Sequence, residues 1–154
     1  MSEVNQQAEK FLNDIFTHAG FDLQAKAINS LSGCTLDIDG ADATLLRSDG
    51  GELLDALEHF VNQTFARDLP HGERYILDVH NFRALRETEL RAMARHAAER
   101  VCSSGVPFTF APMNANERRV IHLALANDEK LFTESIGEGN ARRLKVTLKK
   151  PAAN

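Results

Sequence analysis

The sequence predicts an α+β fold in two parts, residues 1–102 and 103–154. Three observations carry that reading. Apolar residues recur at helical spacing in some stretches and alternate with polar residues in others, and the two periods interleave along the chain. Ser103-Ser104-Gly105 is the clearest linker-like punctuation. The 154 residues, 43% hydrophobic and 26% charged, suit one ordinary domain or two small ones with packed cores rather than a disordered chain.

In the first part, residues 4–18 predict a helix with Ala8, Phe11, Leu12, Ile15 and Phe16 on one side and Gly20 at its stop. Residues 21–32 read as a strand and its turn. Over residues 34–40, Cys34, Leu36 and Ile38 alternate with Thr35, Asp37 and Asp39, the pattern of a half-buried strand. A short helical piece over 41–47 leads into Ser48-Asp49-Gly50-Gly51. Residues 52–66 predict an amphipathic helix with Leu53, Leu54, Leu57, Phe60, Val61 and Phe65 apolar. Pro70-His71-Gly72 breaks the chain, residues 75–79 read as a third strand, and residues 84–101 as a helix burying Leu90, Met93, Ala94, Ala97 and Val101.

In the second part a strand over 106–111 leads to Pro112-Met113-Asn114 and a helix. Asn114 can cap that helix, and Glu117 fits the other half of a capping box. Ile121 and Leu125 form its apolar stripe, widened by Val120 and Leu123. Arg118 and His122 are four apart and so share a face, with Arg119 alongside. A cation and an imidazole stacked in this way can meet a phosphate and a base or sugar together, although the spacing alone also fits an ordinary solvated face. Residues 131–136 and 142–149 predict a hairpin across Gly137-Glu138-Gly139-Asn140. In its second strand Leu144, Val146 and Leu148 point one way, and Arg143, Lys145, Thr147 and Lys149 the other. Phe108, Phe110 and Phe132 are the local candidates for aromatic stacking platforms, but each is expected in the core, and residues 151–154 as a frayed end.

Formal net charge is −4, which argues against indiscriminate nucleic-acid binding. The charge is uneven: residues 1–100 hold 10 Lys+Arg against 17 Asp+Glu, and residues 101–154 hold 8 against 5. A polyanion should therefore prefer the C-terminal third. Cys34 and Cys102 are isolated and read as reduced thiols. No nucleophile–base pairing, metal-ligand spacing or phosphate-cradling glycine motif appears, so a non-catalytic protein without cofactor or metal is expected. No apolar run approaches a membrane span. The first residues lack the basic start and apolar core of a signal peptide, which predicts a cytoplasmic location.

The C-terminal motifs resemble a known family. Arg118-x-x-x-His122, preceded by Pro112-Met113-Asn114 and followed by Thr133-Glu134-Ser135, Gly137-Glu138-Gly139 and Arg142-Arg143, is similar to the bacterial Jag (SpoIIIJ-associated) family. In that family a KH domain precedes a single-stranded nucleic-acid-binding domain named after its Arg-x-x-x-His motif (R-3-H). The resemblance covers roughly residues 8–148. It implies a type II KH-like three-stranded sheet with packed helices over residues 1–102, then a small R-3-H module of strand, helix and hairpin over 103–154. Gly51-Glu52-Leu53-Leu54-Asp55-Ala56-Leu57, Val61-Asn62 and Leu77-Asp78-Val79 carry the KH half of it.

The implied ligand is single-stranded RNA, with single-stranded DNA second, and the implied contacts are Arg118 and His122, supported by Arg119, Arg142, Arg143 and Lys145. A KH domain grips RNA through a Gly-x-x-Gly loop. Here that loop is Ser48, Asp49, Gly50, Gly51, its first glycine replaced and an acidic residue introduced. Asp37, Asp39, Asp42, Glu52, Asp55 and Glu58 surround it, with Arg47 as the only cation between positions 37 and 58. Those charges repel phosphate, so the KH half reads as a scaffold or protein-docking surface. The alternative function is accordingly a protein adaptor in envelope growth or RNA regulation. The resemblance implies a second small KH protein as a partner and an indirect link to membrane insertion or cell-envelope machinery. Some members carry a further small domain before the KH region, expected to be absent from this chain.

Overall fold

The computed structural model describes residues 2–31 and 33–150. The expected turn at Ser32 and the frayed end at 151–154 lie outside the described residues. The chain divides into two compact units, Met1–Arg83 and Ala84–Asn154.

The first unit runs α1 (Glu3–Ala19), β1 (Gln24–Ser30), β2 (Gly33–Asp39), α2 (Ala43–Arg47), α3 (Glu52–Phe65) and β3 (Arg74–Val79). Ser2 caps α1 by accepting from the Asn5 N–H, and the chain leaves the helix at Gly20 with φ 77°. β1 and β2 form an antiparallel hairpin, whereas β2 and β3 pair in parallel, which requires the crossover that α2 and α3 provide. Leu12, Phe16, Leu36, Ile38, Leu46, Leu54, Val61 and Leu77 fill the core. Leu53 and Phe60, expected on the apolar side of α3, are exposed instead; Phe60 packs its ring against Phe11 at 5.7 Å.

Both outer strands of this sheet are sealed by the same device. From α1, Glu9 accepts from the Ala27 N–H (2.7 Å), and Asn13 bonds both the N–H (2.7 Å) and the carbonyl (3.0 Å) of Ala25. From α3, Glu58 accepts from the Leu77 N–H (3.0 Å), and Asn62 bonds the N–H (2.9 Å) and the carbonyl (2.8 Å) of Tyr75. In each helix the acid and the amide are four apart, so one face reaches two alternate strand residues. Edge groups that would otherwise template another strand are thereby satisfied within the unit.

The second unit holds most of α4 (Phe82–Ser104), then β4 (Phe108–Thr109), α5 (Ala115–Leu125), β5 (Leu131–Ile136) and β6 (Arg143–Leu148). Its sheet is antiparallel in the order β4-β6-β5. Leu90, Ala94, Ala97 and Val101 of α4 bury with Phe110, Ile121, Leu125, Leu131, Leu144 and Val146. The second compact unit thus begins at Ala84, inside the first turn of α4, and the apolar stripe of that helix packs within it. Ser103 and Ser104 are the last residues of α4, and Ser104 Oγ donates back to the Arg100 carbonyl at 2.7 Å. The linker-like sequence is a helix stop. Among the described residues, no helix is long and apolar enough to cross a membrane.

Candidate nucleic-acid interface

The geometry of α5 starts from its cap. Asn114 Oδ1 accepts from the Glu117 N–H at 2.9 Å, as the sequence predicts. Ile121 and Leu125 face the core, while Leu123 is exposed, which narrows the expected stripe. Glu117 also faces inward, 6% exposed, and its carboxylate accepts from Arg86 Nε of α4 at 2.7 Å. This pair anchors the first turn of α5. Arg118 is half-buried and donates through Nη1 to the Met113 carbonyl at 2.7 Å, which holds its stem against the incoming chain. His122 is exposed one turn later, and its Nδ1 meets Thr133 Oγ1 on β5.

Strand parity decides which other cations join them. Thr133 stands opposite Val146 and Ser135 opposite Leu144, so both hydroxyls lie on the helix-covered side of the sheet. Arg142, just before β6, donates through Nε to Ser135 Oγ at 2.9 Å. His122 and Arg142 are therefore held on β5 by two hydroxyls, while Arg118, one turn before His122 on α5, bonds the carbonyl of Met113, whose N–H in turn donates to the Arg142 carbonyl at 3.2 Å. Arg119 is exposed on an adjoining side of α5. Arg143 and Lys145 stand on the opposite side of the sheet, with Glu134 directly across from Lys145. The six expected contact residues thus divide between two faces.

Of the three phenylalanines, Phe110 is buried and meets Phe108 edge-on at 4.9 Å, with the Arg100 guanidinium 5.6 Å from the Phe108 ring centre. Phe132 departs from the expected core position: it is 50% exposed, on the side of Arg143 and Lys145.

In the first unit, Ser48 has ordinary extended backbone (φ −69°, ψ 152°), so losing a glycine there costs no conformational freedom. The left-handed residues are Asp49 (φ 52°), Gly50 (φ 68°) and Gly51 (φ 82°). Asp tolerates this region better than most residues. Gly51 is different, since a Cβ there would sit 2.6 Å from the Phe82 ring. Arg83, from outside the loop window, pairs with Asp55 (2.7 Å) and Glu58 (2.9 Å). His80 pairs with Asp39 at 2.6 Å and holds that carboxyl below its usual range. Part of the acidic surround is therefore engaged by side chains more than 20 residues away in sequence, the Arg83 guanidinium and the His80 ring. Asp49 and Glu52 remain at the mouth of α3.

The Arg118–His122 helix, β5 and β6 all fall inside a family match over residues 88–148. That stretch matches the R-3-H domain family. Over the longer span the chain is 28% identical across 149 residues to RNA-binding protein KhpB of Clostridium symbiosum, covering 96% of this chain and 67% of that one. It is 27% identical across 147 residues to RNA-binding protein KhpB of Bacillus subtilis (94% and 71%). It is 28% identical across 116 residues to the protein of that name from Lactiplantibacillus plantarum (75% and 36%). The folded unit around the R-3-H domain is larger than the matched stretch, because Arg86 lies before residue 88 and yet pairs with the buried Glu117.

Proposed function

We propose that this protein binds single-stranded RNA, without catalysing a reaction on it, through the α5–β5 face of its R-3-H domain. Arg118 and Arg142 supply charge for phosphates, and His122 supplies a ring that can stack or hydrogen-bond beside them. Arg119 adds charge at the margin. The observation that carries this reading is that α5 and the start of β6 bring His122 and Arg142 to one strand, β5, with Arg118 one turn before His122 on the same helix. The family match and the names of the relatives support it. Single-stranded DNA is the second candidate ligand, since nothing in this cluster selects for a 2′-hydroxyl.

The first unit, helix–strand–strand–helix–loop–helix–strand, reads as a type II KH-like scaffold whose Ser48–Gly51 loop has lost its phosphate clamp. Asp49 and Glu52 at the helix mouth favour an adaptor role for this unit. A second small KH protein is the partner the family resemblance suggests, with an indirect link to envelope or membrane-insertion machinery and a cytoplasmic setting.

The test is an anisotropy titration of a labelled random-sequence single-stranded RNA pool with the full chain. Replacing Arg118 and His122 together by alanine should weaken binding at least tenfold, the scale of losing a phosphate contact and a stacked ring. An unchanged affinity rejects the site. If the intact protein binds no RNA but holds a nuclease-resistant protein partner through residues 1–102, the adaptor reading replaces this one.

A further inference from the structure

The side of the second sheet that the helices leave open has its own composition. Leu131, Leu144 and Val146 point into the core at 4% exposure or less, whereas Phe132 lies on the other side and is 50% exposed. Thr147 stands directly opposite Phe132, and Lys145 and Arg143 follow at alternate positions along β6. Beside Phe132 the pairing continues past the strand ends, with the Lys149 N–H donating to the Lys130 carbonyl at 2.8 Å. Both of those lysines are exposed. Glu134, opposite Lys145, is the acidic residue among these cations.

A large aromatic ring on an open sheet face contributes little to the core, and every unpaired base offers a flat face to stack on it. Cations in excess around such a ring complement a phosphate backbone. We propose that this open face is a second contact for single-stranded RNA, with Phe132 as the stacking platform and Arg143, Lys145 and Lys149 beside the backbone. The inference rests on the RNA-binding reading above and places on this face the two cations that do not reach the Arg118–His122 side. β5 is an edge strand of this sheet, and Phe132 and Thr133 are neighbours in it that point to opposite faces. A strand of RNA crossing this edge passes from His122 on one side to Phe132 on the other.

The chain contains no tryptophan, so Phe132→Trp introduces a single indole that keeps a stacking surface at the exposed position. The full-length variant is titrated with the same RNA pool while anisotropy and indole emission are followed together. The expected result is quenching with the midpoint of the anisotropy curve. Phe132→Ala should weaken binding by about tenfold, and Lys145→Ala should lower the salt slope by roughly 0.7. Rising anisotropy with unchanged indole emission, or undiminished affinity in Phe132→Ala, overturns the inference while leaving the Arg118–His122 site standing. Emission that shifts with protein concentration alone assigns the face to a second copy of the chain and also overturns it. If the unaltered protein gives no anisotropy change, the RNA reading falls and this inference falls with it.

Discussion

The imidazole of His122 and the hydroxyl of Thr133 meet, Nδ1 to Oγ1, across the gap between α5 and β5. This bond engages one ring nitrogen and leaves Nε2 for a ligand, so Thr133 sets the orientation in which His122 is presented. Thr133→Val keeps the shape of the side chain and removes the bond. It should weaken RNA binding by about threefold, the size of one ordinary hydrogen bond. Thr133→Ser should restore the affinity. Nitrogen chemical shifts of the His122 ring should show a fixed tautomer in the native and Ser forms and a mixture in the Val form, a change that a merely structural role for Thr133 would not produce.

The pairing of Arg86 with Glu117 carries a stability prediction. Arg86→Met leaves a carboxylate that is 6% exposed without its guanidinium. Breaking such a pair costs about 3 kcal/mol, read as a lower denaturant midpoint for the second unit. Adding Glu117→Met should recover much of that loss, because two apolar side chains carry no unpaired charge into the interior. A double variant no more stable than Arg86→Met would show that Glu117 acts through something other than this pair.

Tyr75 gives the first unit a weakness at high pH. Its hydroxyl donates to Asn5 Oδ1 at 3.0 Å inside the core, and burial pushes its pKa up to about 12. The unfolded chain releases this proton near the ordinary phenol value, so stability from Tyr75 is intact below that value and is lost as pH rises toward 12. Burial also raises the Cys34 thiol, which acts in the same direction beginning at lower pH. Tyr75 is the only tyrosine in a chain without tryptophan, so phenolate absorbance reports on it alone. The absorbance should appear together with loss of the native circular dichroism signal. Phenolate forming near the ordinary value in a still-folded protein would contradict the buried hydrogen bond.

Much of the fold is readable from periodicity. The alternation of Cys34, Leu36 and Ile38, the Gly20 stop and the Asn114 cap each depend on neighbours within a few residues, and each recurs in the structure. The site is only partly readable. Strand parity separates Arg143 and Lys145 from Leu144, but it does not say on which side α5 lies. That depends on the burial of Ile121 and Leu125 against Leu144 and Val146, a contact between distant segments. Thr133 and Ser135 are hidden for the same reason, as are Arg86 behind Glu117 and Arg83 behind Asp55. The linker-like stretch misleads in another way. Ser103-Ser104-Gly105 has linker composition, but serines whose hydroxyls bond back to Arg100 end a helix equally well.

Photo-crosslinking of a thiouridine-substituted single-stranded RNA pool to the full-length protein, with the attached peptides identified by mass spectrometry, tests the central claim most directly. The account predicts crosslinks within residues 113–146, around α5, β5 and the start of β6, and their loss when Arg118 and His122 are replaced by alanine. Crosslinks confined to residues 37–58, or a pattern unchanged by that replacement, would contradict it.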